Sequence, residues 1–240
     1  AATVQANFAA GTAYTWSGAT GNWSVATNWT PNGIPTLFDT VNINVTTPPS
    51  VCTIDADATC SQLRVSGVSG GTTNGPTLQF ASTGSIKLTV KDTLRIGGGS
   101  GTGQAGRPKL ASNGNASAIL ELLGYASSSS SNTPANGDAG LNMNEGTVLV
   151  GGPNPSVLSI AAGVRLGNLL IGDGINPKVF TIQTGTTSAQ RISPGAITVK
   201  SGCTFYVGGT AAGDAGVRGI SIGTATAGVP PLTGGITIEP

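Results

Sequence analysis

The sequence predicts an all-β protein, and three observations favour a right-handed β-helix. Apolar and polar residues alternate over short segments, most of them rich in Val, Ile and Thr. Glycine is abundant, at 38 of 240 residues, and suits the corners of coils because a positive φ costs it little. Segments 87–96 and 197–207 can be overlaid as one unit of strand, lysine-centred corner and strand, which is what one coil requires. A jelly roll or another β-sandwich is the alternative.

The composition is that of an extracellular β protein. Charged residues make up only 9% of the chain, the net charge is +1, and no run of Lys or Arg could follow a phosphate backbone, so nucleic acid is not an expected partner. The mean hydropathy of +0.14 argues against disorder. The sequence contains no apolar stretch of about 18 residues, so no membrane span is expected.

The chain begins with a strand pattern in which Val4, Ala6 and Phe8 share one face. This strand either lies at the edge of its own sheet or is donated to a neighbouring subunit. We therefore divide the chain into a strand and linker at 1–14 and a single β-solenoid domain at 15–240. The small residues at the start are typical of what signal-peptide removal leaves, so we expect an exported protein that begins at Ala1.

The stretch 15–45 contains all three tryptophans, Trp16, Trp23 and Trp29. A solenoid must cover its core at each end, and three large rings between Asn and Gly turns can do so. We expect these rings to cap the first coil or to form a contact between stacked subunits. A platform that stacks on carbohydrate is the alternative.

Beyond this stretch the alternating segments are predicted as strands. Segment 118–123 also fits a short helical turn with Ile119, Leu122 and Leu123 on one face. Two intervals, 97–117 and 125–146, lack the alternation and are expected to be loop excursions. The predicted strands are 41–46, 51–55, 61–66, 77–80, 85–90, 93–97, 118–123, 147–151, 156–160, 164–172, 178–183, 196–199, 204–208, 219–223 and 235–240.

Few residues offer chemistry. Asp55 and Asp57 are the only acidic residues close in sequence; they could bind Ca²⁺ or act as an acid–base pair, but turn formation is the simpler interpretation. Cys52 and Cys60 either form a disulfide or are two buried thiols, and Cys203 is buried or available to another subunit. The chain has no histidine and no C-x-x-C motif. We expect no catalytic residues, no metal site and no cofactor.

The opening pattern W-S-G-x-x-G-N-W-S-x-x-x-N-W, followed by a proline and a D-T-V-x-I strand, resembles the start of exported bacterial β-helix surface proteins of the autotransporter-like and adhesin type. The resemblance covers residues 15–66 and implies a β-helix, export and no catalytic motif. Apolar residues usually stand at the positions of Cys52 and Cys60, and this departure favours a disulfide between them. The matching residues are Trp16, Gly18, Gly21, Trp23, Asn28, Trp29, Pro35, Asp39, Val41 and Ile43.

These observations favour a structural function, as the subunit of an extracellular surface fibre or filament that assembles head to tail. The N-terminal strand of one copy would complete an exposed sheet edge of the next. The alternatives are a carbohydrate-binding adhesin or phage-type fibre domain and, less favoured, a polysaccharide-cleaving β-helix enzyme. The expected partners are other copies of the chain and surface glycans.

Overall fold

The chain folds almost entirely into short β-strands. The computed structural model describes residues 11–44, 50–67, 74–97, 107–128, 140–153, 155–160, 164–184, 192–209 and 236–239. One turn of 3₁₀ helix, Ala26–Asn28, is the only helix in these ranges. The strands are β1 (Ala13–Trp16), β2 (Thr20–Asn22), β3 (Trp29–Thr30), β4 (Thr40–Ile43), β5 (Val51–Ile54), β6 (Ala58–Val65), β7 (Asn74–Phe80), β8 (Ile86–Ile96), β9 (Arg107–Ala111), β10 (Ala118–Leu122), β11 (Tyr125–Ser128), β12 (Gly140–Asn142), β13 (Thr147–Val150), β14 (Ser156–Ile160), β15 (Val164–Ile171), β16 (Val179–Thr184), β17 (Ile192–Val199), β18 (Thr204–Gly209) and β19 (Ile236–Ile238).

The strands form three sheets of parallel strands, and the chain passes through the three sheets in turn. The first sheet contains β1, β4, β11, β14, β16, β18 and the second halves of β6 and β8. The second sheet contains β2, β5, β7, β9, β12 and the first parts of β15 and β17. The third sheet contains β10, β13, β19 and the remaining parts of β6, β8, β15 and β17. Each circuit of the three sheets is one coil.

This arrangement confirms the predicted β-solenoid and excludes a sandwich of antiparallel sheets. Among the described strands only β1 and β3 pair antiparallel. The right-handed sense of the coil stays a prediction.

The core is built from columns of inward side chains, because every second residue of a strand points inward and the strands are in register. In the first sheet one column runs through Val41, Leu63, Leu94, Leu158 and Ile182, all of them fully buried. The columns of the other two sheets are equally apolar; they include Cys52, Leu78, Leu110 and Leu141 in the second sheet and Leu88, Leu120, Val148, Leu169 and Ile197 in the third.

One glycine allows a single strand to serve two faces. β15 bends between the second and third sheets at Gly167, where its pairing with β17 is irregular and φ is +59°. A Cβ at this position would lie 2.1 Å from the carbonyl oxygen of Met143 and 2.2 Å from that of Gly146. Only glycine fits this close approach to the preceding coil.

The structure confirms one prediction about the strands and contradicts part of another. The overlay of 87–96 on 197–207 is confirmed, since both segments run from the third sheet round a lysine corner into the first, with Leu88 and Ile197 in one column. The loop excursions predicted at 97–117 and 125–146 are wrong in part, because β9, β11 and β12 lie within them. Those strands carry few apolar residues, so pairing with adjacent coils, and not alternation, defines them. The strand patterns at 1–8 and 219–223 lie outside the described residues.

Two substitutions in segment 118–123 test the observed strand against the alternative of a short helical turn. Leu120 is fully buried in the third sheet's column, whereas Ile119 faces outward and is half-buried. We expect Leu120→Ala to lower the free energy of unfolding by about 2–5 kcal/mol and Ile119→Ala by about 1 kcal/mol or less, measured by urea denaturation. A larger loss for Ile119→Ala would contradict the strand, because a helical turn would bury Ile119 instead.

Candidate functional site

The three tryptophans form one compact cluster in the first coil. The Trp29 ring packs edge-on against both of the others, with centroids 5.0 Å from Trp16 and 4.9 Å from Trp23. All three side chains are at most 2% exposed. The indole N–H of Trp29 donates to the backbone oxygen of Trp23 at 2.9 Å, while the indole nitrogens of Trp16 and Trp23 are buried and have no hydrogen-bond partner.

The glycines and asparagine of the opening motif fit around these rings. A Cβ at Gly18 would lie 3.1 Å from the Trp16 ring, and one at Gly21 would lie 2.5 Å from the Asn28 amide. That amide donates to the backbone oxygen of Asn22 at 2.9 Å. The motif residues thus pack the first coil, which gives a structural reason for their spacing.

The burial of the rings distinguishes between the three functions considered for the tryptophans, which are a cap, a contact between subunits and a carbohydrate platform. Rings that are almost wholly buried offer no face on which a sugar could stack, so the carbohydrate platform is wrong for this conformation. They are equally inaccessible to a neighbouring subunit. The arrangement supports a cap, since β3 pairs along one edge of β1 while β4 pairs along the other.

Asp55 and Asp57 do not form a site together. Asp55 accepts hydrogen bonds from Ser24, at 3.1 Å from the backbone N–H and 2.6 Å from the hydroxyl, in the preceding coil. Asp57 accepts one from the backbone N–H of Lys87 in the following coil, at 2.8 Å. Because the two carboxylates bind opposite neighbours, the structure gives no support to a Ca²⁺ site or an acid–base pair.

The other described carboxylates act in the same way. Each accepts a hydrogen bond from a residue of an adjacent coil, so acidic residues join coils throughout the solenoid. The remaining pairs are Asp39 with Thr12, Asp92 with Ser61, Glu121 with Thr89, Glu145 with Ser112, Asp173 with Gly152 and Glu239 with Lys200. No group of three or more His, Cys, Asp or Glu residues that could hold a metal occurs among the described residues.

Hydrogen bonding lowers the pKa of three of these carboxyls. Burial opposes ionisation of Asp39 and Glu145, but hydrogen bonds from Thr36, Thr12 and Ser112, among others, outweigh it and bring both pKa values below the ordinary range. The pKa of Asp173 is lowered furthest, chiefly by the backbone N–H groups of Asn176 and Ile175.

The cysteines overturn the predicted disulfide. Cys52 and Cys60 are free thiols, and both are fully buried. Their strands belong to different sheets, so the two side chains stand in different columns and are packed there as small apolar groups. Burial raises the pKa of both thiols well above the usual value, which keeps them neutral. Cys203 is also free and is half-buried.

Sequence analysis missed two exposed features. Arg64 and Arg95 are exposed register partners on the first sheet; the repeated Leu-Arg-Val and Leu-Arg-Ile triplets at 63–65 and 94–96 are the signal that would have revealed them. At the other end of the solenoid, Ile236 and Ile238 of β19 are 58% and 74% exposed. They pair in register with Ile197 and Val199, which point inward.

Comparisons of the chain with protein families, with curated proteins and with solved structures gave no match. The resemblance of residues 15–66 to exported surface proteins therefore stays a prediction. Among the described residues no helix is long and apolar enough to cross a bilayer.

The tryptophan cluster yields a matched pair of substitutions. Trp29→Phe and Trp23→Phe remove a similar volume, but only Trp29→Phe also leaves the backbone oxygen of Trp23 without its donor. We expect Trp29→Phe to be the more destabilising by about 1 kcal/mol in urea denaturation. Equal losses would mean that the hydrogen bond contributes nothing to the cluster.

The lowered carboxyl pKa values predict acid sensitivity. In the unfolded chain these groups protonate near 3.8 for Asp and 4.5 for Glu, and in the folded protein only at lower pH. Their contribution to stability is therefore complete above about pH 5 and is lost as the pH falls towards 2. We expect Asp173→Asn to be less stable than the parent protein at pH 7, with a difference that narrows at pH 2. A difference independent of pH would contradict this role for the Asp173 charge.

Proposed function

We propose that this protein is a structural subunit of an extracellular fibre, in which copies associate head to tail. The observation that carries the proposal is the exposure of Ile236 and Ile238. Both pair in register with inward residues of the preceding coil, yet both are more than half exposed. A second copy that covered them would bury apolar surface at about 25 cal/mol per Å².

The backbone at this end supports the same contact. β19 pairs with β17, and none of the other described strands pairs along its second edge. An unpaired edge is a template on which a further strand can add.

The opposite end favours strand donation over simple stacking of solenoids. β1 already has a partner on each side, because β3 pairs along the edge that faces away from β4. A strand of a neighbouring copy could not pair directly with β1 without displacing β3. The proposal therefore joins the two ends through a separate segment.

The N-terminal segment has the pattern that this contact requires. Val4, Ala6 and Phe8 alternate with polar residues, so a strand formed by them would present one apolar face to Ile236 and Ile238 of another copy. These N-terminal residues lie outside the described residues, and their pairing is the proposed part. The low charge of the chain and its resemblance to exported surface proteins support an extracellular location, and the proposal assigns the protein no catalytic function.

Deleting Ala1–Phe8 tests the proposal. We expect the parent protein to form filaments in negative-stain electron microscopy and the shortened protein to remain a monomer in light scattering. Ile236→Lys with Ile238→Lys should have the same effect, because two ammonium groups would have to be buried in the contact. A synthetic peptide of residues 1–8 should cap growing filaments of the parent protein.

Ile175→Lys is the matched control. Ile175 is 85% exposed at a corner of the solenoid and takes no part in the proposed contact, so its replacement should leave assembly unchanged. Normal filaments from the shortened protein would rule out strand donation. A discrete small oligomer of the parent protein would rule out the filament itself.

A further inference from the structure

The outward face of the first sheet carries a strip of positive charge that forms no ion pair with any of the described residues. Three adjacent strands, β6, β8 and β11, each present two outward residues, since Leu63, Leu94 and Ala126 between them are buried. We call these six residues the arginine strip. They are Gln62 and Arg64, Thr93 and Arg95, and Tyr125 and Ser127.

Arg64 and Arg95 face each other directly across the strands. Neighbouring strands lie about 4.8 Å apart, and like charges directly opposite each other destabilise a sheet. Both side chains are exposed, and neither forms an ion pair in the described part of the chain, where the ion pairs found are Lys87–Glu121 and Lys200–Glu239.

The acidic residues nearest to the two arginines along the chain accept hydrogen bonds from other residues. Asp92, three residues before Arg95, accepts a hydrogen bond from the hydroxyl of Ser61, and Asp57, seven residues before Arg64, accepts one from the backbone N–H of Lys87. Lys91, four residues before Arg95 in sequence, lies over the ring of Phe38, with its Nζ 5.5 Å from the ring centroid. In the described part of the chain the strip thus combines two arginines that form no ion pair with neighbours that donate and accept hydrogen bonds.

We propose that the arginine strip binds an extended acidic polysaccharide that runs along the solenoid axis. Guanidinium groups bind carboxylates and sulfates through paired hydrogen bonds, and Arg64 and Arg95 would contact successive acidic groups. Gln62, Thr93 and Ser127 would bind sugar hydroxyls. Tyr125, which is 39% exposed and ends one row of the strip, would stack on a sugar ring.

The chemistry of the strip favours a glycan over other polyanions. Nucleic acid binding uses a wider basic surface than two arginines and a lysine, and the net charge of the chain is only +1. An anionic membrane would favour large apolar side chains beside the cations, but the residues flanking the arginines are Gln, Thr and Ser. The inference does not depend on filament formation, because the strip lies on the side of the solenoid.

Titration of the full chain with a fluorescent oligogalacturonate tests the inference. We expect saturable binding that weakens with salt, at least a tenfold loss in the Arg64→Gln/Arg95→Gln variant, and a smaller loss in Tyr125→Ser. Lys109→Gln removes one charge from the second sheet and should bind as the parent protein does. The methyl-esterified oligosaccharide, which lacks the carboxylates, should not bind.

A second measurement separates binding from folding. Because Arg64 and Arg95 repel each other, replacing Arg95 with Gln should leave the melting temperature unchanged or raise it, whereas a structural role would lower it. Equal oligogalacturonate binding by the parent and double-variant proteins would overturn the inference. Tighter binding to duplex DNA or to phosphatidylserine vesicles than to oligogalacturonate would also overturn it.

Discussion

The structure depends on the alignment of inward side chains from one coil to the next. Parallel strands hold Val41, Leu63 and Leu94 in one column, and equivalent columns fill the other two faces. Each coil buries its apolar residues chiefly against its two neighbours, so stability is approximately a sum of coil and interface contributions. The columns require apolar side chains but not one particular residue type, which explains how Cys52 and Cys60 can stand among Leu and Val as small apolar groups.

Hydrogen bonds to the carboxylates hold the corners of adjacent coils together. A column of apolar side chains resists separation but does little to fix each corner. The hydrogen bonds that Ser24 donates to Asp55 and that the backbone N–H of Lys87 donates to Asp57 join one corner to the next. This use of charge accounts for eight of the ten acidic residues, and the other two lie outside the described residues. It also explains why acidic residues that look available in the sequence are committed in the fold.

The sequence was sufficient for the architecture where local signals were strong. The opening tryptophans, the alternating segments and the repeated strand–corner–strand unit all predicted a solenoid, and the structure confirms one. Equivalent residues of the first sheet, however, lie between 22 and 32 positions apart, so no fixed period could reveal the coils. β9, β11 and β12 escaped detection for a related reason, because their pairing partners, and not their own composition, make them strands. Arg64 and Arg95 are 31 residues apart, and their positions as register partners follow only once the register is known.

The tryptophan-filled first coil has a consequence for how the chain folds. Three large rings pack against each other there within a short stretch of sequence, so this coil can order before any later coil exists. Each later coil can then form on the coil before it, because a coil contacts chiefly its two neighbours. Folding in this order proceeds from the tryptophan cluster towards β19, the last described strand, where Ile236 and Ile238 are exposed.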